Sequence, residues 1–236
     1  PEIVLGPPGT GKTTRLIDEV NTYLEDGIEP HSIGYLAFTR KAADEAVTRS
    51  CERFGLTKRQ LPHFRTLHSL AFKMLGLTKN EVLSKPSIQE FGSIMGLRIT
   101  GSVSLDEGHV YGNLPGDRAL FLCNMARMKC VSLEEQWKET PEGLTWFEVE
   151  RVFDGLEKFK KERGLIDFTD MLDKFIAQDI VPQFKLLVVD EAQDLSQMQW
   201  RMVEALDKHS NRTIVAGDDD QAIFRWAGAD VTHFVD

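Results

Sequence analysis

The clearest chemistry in this chain lies near its start, in eight residues with the types and spacing of a phosphate-binding loop: Gly6, Pro7, Pro8, Gly9, Thr10, Gly11, Lys12 and Thr13. Glycines there let backbone N–H groups turn toward a phosphate, and the following helix adds the positive end of its dipole. Lys12 is placed to neutralise β- and γ-phosphates, Thr13 to ligate Mg²⁺, and Thr14 to complete the loop. An apolar run before the loop and a helix-compatible stretch after it favour a nucleotide site over a plain Gly/Pro turn.

A second candidate segment is acidic: Asp190 and Glu191 directly follow the apolar run at 186–189. Asp190 is placed to hold Mg²⁺ through water, and Glu191 to orient and deprotonate the attacking water. Alone, such a pair is as often a solvated strand end as a catalytic pair. Together with a complete phosphate loop, it predicts a site for ATP and Mg²⁺.

Four apolar runs predict strands, and amphipathic helical stretches follow them: 3–5, 33–38, 185–189 and 213–216. Strands alternating with helices indicate an α/β fold with a parallel sheet. The runs lead into loops that carry Lys12, Thr39, Asp190 and Asp218, at the edge where such sheets bind ligands.

The middle third has a different pattern, because 76–164 shows only helical stretches separated by Gly/Pro punctuation. Its clearest helix has a capping box, with Thr145 followed by Glu148, and stops at Gly164. We predict an α/β domain formed by 1–75 and 165–236, interrupted by a mostly helical subdomain at 76–164.

Composition limits the partners of this chain. The 236 residues are 42% hydrophobic and carry a net charge of −9, so a nucleic-acid site must be a local patch or groove. No apolar run approaches the roughly 20 residues of a membrane span, so we expect a cytoplasmic location and no membrane partner. The three cysteines argue against a disulfide framework.

Several segments together carry a family resemblance. DEAQD at 190–194 and GDDDQAIFRW at 217–226 resemble motifs II and III of superfamily 1 DNA helicases of the UvrD/Rep/PcrA type. YLAFTRKAA at 35–43 is similar to their motif Ia, and FRTLHSL at 64–70 to their Ib-type segment. The resemblance implies a RecA-like P-loop NTPase sheet and ATP-driven movement on single-stranded DNA in the 3′-to-5′ direction.

The resemblance also implies roles for individual residues. Gln221 matches the γ-phosphate sensor, and Arg40, which is also a predicted DNA contact, stands where the family usually has Asn. The remaining matches are positions that contact single-stranded DNA: Phe38, Thr39, Thr66, His68, Phe224 and Trp226. Aromatic stacking on bases does not depend on overall charge, so an acidic protein can bind DNA this way. The alternative is that Phe38, Phe224 and His68 are packed residues of the interior.

The sequence ends at Asp236, soon after the motif III segment. The resemblance implies a partner, a second RecA-like domain whose arginines stabilise the transferred phosphoryl group. We therefore expect the 236 residues of this chain, without that second domain, to hydrolyse ATP slowly. Two alternatives stay open: an ATPase module of a larger nuclease, recombination or defence assembly, and a non-catalytic nucleic-acid-binding or scaffold domain.

Overall fold

The computed structural model describes residues 1–6, 11–100, 103–104, 109–110 and 114–218. Its strands in chain order are Glu2–Leu5 (β1), Ile33–Ala37 (β2), Phe64–Thr66 (β3), Val103–Ser104 (β4), His109–Val110 (β5), Leu186–Asp190 (β6) and Thr213–Gly217 (β7). Its α-helices are Lys12–Glu25 (α1), Arg40–Phe54 (α2), Leu67–Met74 (α3), Lys85–Met95 (α4), Pro115–Met128 (α5), Leu133–Glu139 (α6), Trp146–Arg163 (α7), Phe168–Gln178 (α8) and Gln197–Asp207 (α9).

Five strands form one parallel sheet in the order β1-β7-β6-β2-β3, so the predicted α/β class is confirmed. Every residue of β2, β6 and β7 is buried, which explains the apolar run within each of these strands. All four predicted strands are present. The edge strand β3 is not among the predicted strands, because two of its three residues, Arg65 and Thr66, are polar and so form no apolar run.

Helices cover both faces of this sheet. On one face, Leu16 and Val20 of α1 pack with Ile33 and Val188 of the strands. On the other, α3, α8 and α9 pack against the sheet through residues such as Phe175. The parallel strands therefore end at one shared edge, with the loops that follow them side by side.

The middle of the chain builds a third apolar cluster from its own helices, including Phe91, Leu122 and Val152. The predicted helix is confirmed: Thr145 caps α7 with Glu148 at its third position, and Gly164 ends it at φ 64°. The same region also contains one short antiparallel pair, β4 and β5, which is compatible with a mostly helical subdomain. Two residues per strand leave no alternating pattern to detect. The boundaries of the subdomain at 76–164 stay a prediction, which this separate cluster supports.

A buried ionic cluster joins this middle region to α8. Arg127 of α5 lies 2.7 Å from Asp167, and Lys160 of α7 lies 2.7 Å from both Asp167 and Asp170. Burial by itself lowers the pKa of Lys160, but the carboxylate charges outweigh it and leave this pKa raised. Lys160 is thus held in its charged form by its carboxylate partners.

We expect Lys160→Ala to lower the free energy of unfolding by about 3 kcal/mol, because it leaves buried carboxylates short of a cation. Lys160 is 3% exposed. Lys158, on the same helix and 76% exposed, provides the control, and Lys158→Ala should change stability by less than about 0.5 kcal/mol. Urea unfolding measures both variants. Equal midpoints would show that the cluster contributes nothing through Lys160.

Candidate active site

The phosphate-binding loop lies at the carboxyl end of β1. Gly6 follows the strand, residues 7–10 lie outside the described residues, and Gly11 precedes α1 with φ 78°, a conformation that suits glycine. Within the described residues, no side chain caps the N-terminus of α1. Its first N–H groups are thus suited to an anion, as the loop motif predicts.

Lys12 lies where β1 and its sheet neighbour β7 end. Its Nζ donates to the Gly6 carbonyl and lies 4.0 Å from Asp218 Oδ2. The side chain of Asp218 is 2% exposed, so this cation and carboxylate meet in a largely buried setting. The ammonium group is therefore held at Gly6, the first residue of the loop that is predicted to receive the phosphates.

Thr13 and Asp190 are brought together although 177 residues separate them in the sequence. The Thr13 hydroxyl donates to Asp190 Oδ2 at 3.2 Å, and the Glu191 N–H donates to Oδ1 at 2.9 Å. A hydroxyl and a carboxylate at this separation are hard oxygen donors of the kind that Mg²⁺ prefers. The residues present therefore fit the predicted metal.

Glu191 is held in an unusual backbone conformation beside this pair. Its φ is 57°, a left-handed value that costs a non-glycine residue about 1–2 kcal/mol. The Thr39 hydroxyl donates to Glu191 Oε2 at 3.2 Å. Burial and then the Asp190 charge raise the pKa of Glu191, and hydrogen bonds from Thr39 oppose that rise. A carboxylate with a raised pKa is a better proton acceptor.

Three further residues belong to this site, and sequence reasoning had given them no role. The Tyr35 hydroxyl donates to Asp190 Oδ2 at 2.6 Å. Burial and then the Asp190 charge raise the pKa of Tyr35 well above its usual value, so this hydroxyl stays a donor at neutral pH. Gln193 Oε1 accepts from the Asp218 N–H at 3.1 Å, which ties the loop after β6 to the end of β7.

Asp194 is the third of them and lies beside Gln193. Burial and then the Glu191 charge raise the pKa of Asp194 to about 7. Gln193 Nε2 donates to this carboxylate at 3.1 Å and opposes the rise. Both residues stand in the motif II segment, which is the one sequence signal that could have found them.

A groove of about 580 Å³ lies beside this site, between α2, α3 and α8. Arg40, Thr66 and His68, all predicted to contact DNA, line it together. Among its charged lining residues, Arg40, Arg65 and Lys79 outnumber the single acid, Asp44. The groove is therefore locally basic although the chain is acidic overall. The net charge of −9 had limited any nucleic-acid site to such a local patch or groove.

Burial limits what the predicted DNA contacts can offer. Phe38, Thr66 and His68 are 8%, 9% and 6% exposed, and Phe38 belongs to the core beneath the sheet. Burial, followed by the charge of Arg40, lowers the pKa of His68 to about 4. These values agree with the alternative that Phe38 and His68 are packed residues, and their DNA contacts stay a prediction.

Two predicted DNA contacts also hold helix starts. Thr39 caps α2 by accepting from the Ala42 N–H at 3.1 Å, and Thr66 caps α3 by accepting from Ser69 at 3.2 Å. Gln221, Phe224 and Trp226 lie outside the described residues. Among the helices that the structure describes, none has the length and apolar character of a membrane span.

Comparison with known proteins agrees with this arrangement. The family model described as UvrD/REP helicase N-terminal domain matches residues 1–236. DNA helicase II of Escherichia coli is 26% identical over 97% of this chain and 33% of its own length. The ATP-dependent DNA helicase PcrA of Staphylococcus epidermidis is 24% identical over 100% of this chain and 33% of its own length. The ATP-dependent DNA helicase Rep of Buchnera aphidicola is 23% identical over 99% of this chain and 36% of its own length. The chain thus spans about a third of these relatives' length, and it belongs to the UvrD/REP helicase N-terminal domain family.

Proposed function

We propose that this chain binds Mg²⁺–ATP at the sheet edge and forms the first half of an ATP-driven motor that moves on single-stranded DNA. The observation that carries this proposal is the contact between Thr13 and Asp190, with Lys12 and Glu191 beside it. These four residues fill three chemically distinct roles within one small region: phosphate binding, metal binding and proton acceptance. The similar helicases of Escherichia coli and Staphylococcus epidermidis support the same function.

The side chains divide the work of phosphoryl transfer. Lys12 neutralises the β- and γ-phosphates, while Thr13 and Asp190 hold the metal. Bound Mg²⁺ supplies positive charge to phosphate oxygens. Glu191 accepts a proton from the attacking water, and the hydrogen bond from Thr39 orients its carboxylate for that task. Gln221 senses the γ-phosphate in this proposal.

The DNA part of the proposal rests on the basic groove. The cations of the groove, Arg40, Arg65 and Lys79, can bind phosphates. The aromatic side chains of Phe224 and Trp226, which are predicted DNA contacts, can stack on bases. Translocation in the 3′-to-5′ direction requires a second RecA-like domain as partner, which supplies arginines to the transferred phosphoryl group.

We expect Trp226→Ala to weaken binding of single-stranded DNA by about 1–3 kcal/mol with little sequence preference, and to leave nucleotide affinity nearly unchanged. Fluorescence anisotropy with a labelled oligonucleotide measures this change. Phe147, an aromatic residue of α7 that is 70% exposed, gives the matched control Phe147→Ala, which should bind DNA normally. The salt dependence should be shallow, since a chain of net charge −9 neutralises few phosphates.

If Trp226→Ala leaves DNA affinity unchanged and lowers the melting temperature, Trp226 packs in the interior and does not contact DNA. A wild-type chain that binds Mg²⁺–ATP but no DNA would contradict the motor proposal and leave a plain nucleotide-binding domain.

A further inference from the structure

Tyr35 reaches from the middle of one sheet strand to the acidic end of its neighbour. In the register of β2 against β6, Tyr35 lies opposite Val188, two residues before Asp190. Two residues of a strand span about 6.6 Å, a distance that a tyrosine side chain can bridge. Its hydroxyl meets Asp190 Oδ2 at 2.6 Å, a length typical of a strong charge-assisted hydrogen bond.

The tyrosine ring cannot easily change its place. Tyr35 is fully buried, and its ring stacks on Phe64 with centroids 5.5 Å apart and planes inclined by 21°. It packs in the cluster that α1 forms with the sheet. The buried, stacked ring therefore directs the hydroxyl toward Asp190 from a fixed position in the sheet.

The two oxygens of Asp190 are held differently. Oδ2 accepts from both Tyr35 and Thr13, whereas Oδ1 accepts from the Glu191 N–H. Thr13 is itself a proposed metal ligand, so its hydroxyl serves two partners. Tyr35 holds the Asp190 carboxylate from the neighbouring strand, β2. It therefore fixes the orientation of that carboxylate independently of the phosphate-binding loop.

We propose that Tyr35 is a positioning residue for the metal site, which orients Asp190 by its hydroxyl so that the carboxylate is ready for Mg²⁺. This inference rests on the proposed function of the site. Groups that orient metal ligands in this way typically change metal affinity 10–100-fold when removed. A buried tyrosine also needs a hydrogen-bond partner in any fold, so the experiment must separate metal binding from stability.

The test is a titration with Mg²⁺ of the wild-type chain and Tyr35→Phe, each with a fluorescent ATP analogue. We expect the Mg²⁺ concentration for half-maximal enhancement of binding to rise about 10-fold in the variant. In EDTA both chains should bind the nucleotide equally, because the Tyr35 hydroxyl bonds Asp190 and none of the described residues of the phosphate-binding loop. Tyr23→Phe removes the hydroxyl of a tyrosine that packs against the same apolar cluster, and should leave the Mg²⁺ dependence unchanged.

An unchanged Mg²⁺ requirement in Tyr35→Phe would overturn the inference, whether or not its melting temperature falls. A nucleotide affinity that drops equally in EDTA would also overturn it, because the tyrosine would then support the loop and not the metal site. A wild-type chain whose nucleotide binding ignores Mg²⁺ would overturn the proposed function, and this inference with it.

Discussion

Glu191→Gln is expected to bind Mg²⁺–ATP normally and to hydrolyse it more slowly by roughly 10²-fold or more, as removal of a general base usually does. The amide has the shape of the carboxylate but cannot take a proton from water. It keeps an oxygen that can accept the hydrogen bond from Thr39, now 3.2 Å from Glu191 Oε2, so the local geometry should persist. Nucleotide affinity and catalysis should therefore separate in this variant.

Single-turnover hydrolysis of labelled ATP, with single-stranded DNA present, measures this change even when turnover is slow. Glu150→Gln makes the same chemical change at an exposed position on α7 and should leave the rate unaltered. If Glu191→Gln instead loses nucleotide affinity as severely as a variant of the phosphate-binding lysine, Glu191 has a structural role and the assignment is wrong.

Lys12→Ala should weaken nucleotide binding by about 100-fold or more, because charge-assisted hydrogen bonds from the ammonium to the phosphates are lost. The structure holds this ammonium between the Gly6 carbonyl and Asp218, whose carboxylate is buried. Its removal therefore changes the charge balance of the loop as well as its contact with the ligand. Turnover should fall below detection as a consequence.

Equilibrium titration with a fluorescent nucleotide measures the loss, and thermal unfolding shows whether the fold is retained. Lys185 is exposed and immediately precedes β6, at the end of the strand opposite the site, and supplies the control Lys185→Ala. Wild-type affinity in Lys12→Ala would mean that the lysine serves only its contacts with Gly6 and Asp218.

The sheet was predictable where burial leaves a signature in the sequence. β2, β6 and β7 are covered on both faces, so each contains an apolar run of at least three residues. β3 leaves no comparable pattern, since two of its three residues are polar. Only its pairing with β2 identifies it as a strand.

The candidate site divides in the same way. Lys12, Thr13 and Asp190 could be predicted because phosphate chemistry fixes their types and spacing. Tyr35 could not be, because a tyrosine in an apolar run is typical of a core, and its partner is 155 residues away. The bond between Gln193 and Asp218 likewise depends on which strands are neighbours in the sheet.

The cluster of Arg127, Lys160, Asp167 and Asp170 bears on how the molecule opens. These charges are contributed by α5, α7 and α8, and no one of these helices can unfold without separating buried partners. Local opening of the middle region is thereby coupled to the first turn of α8, whose Phe168 lines the basic groove. Backbone amides in the last turn of α7 and the first turn of α8 should consequently exchange with solvent as one cooperative unit.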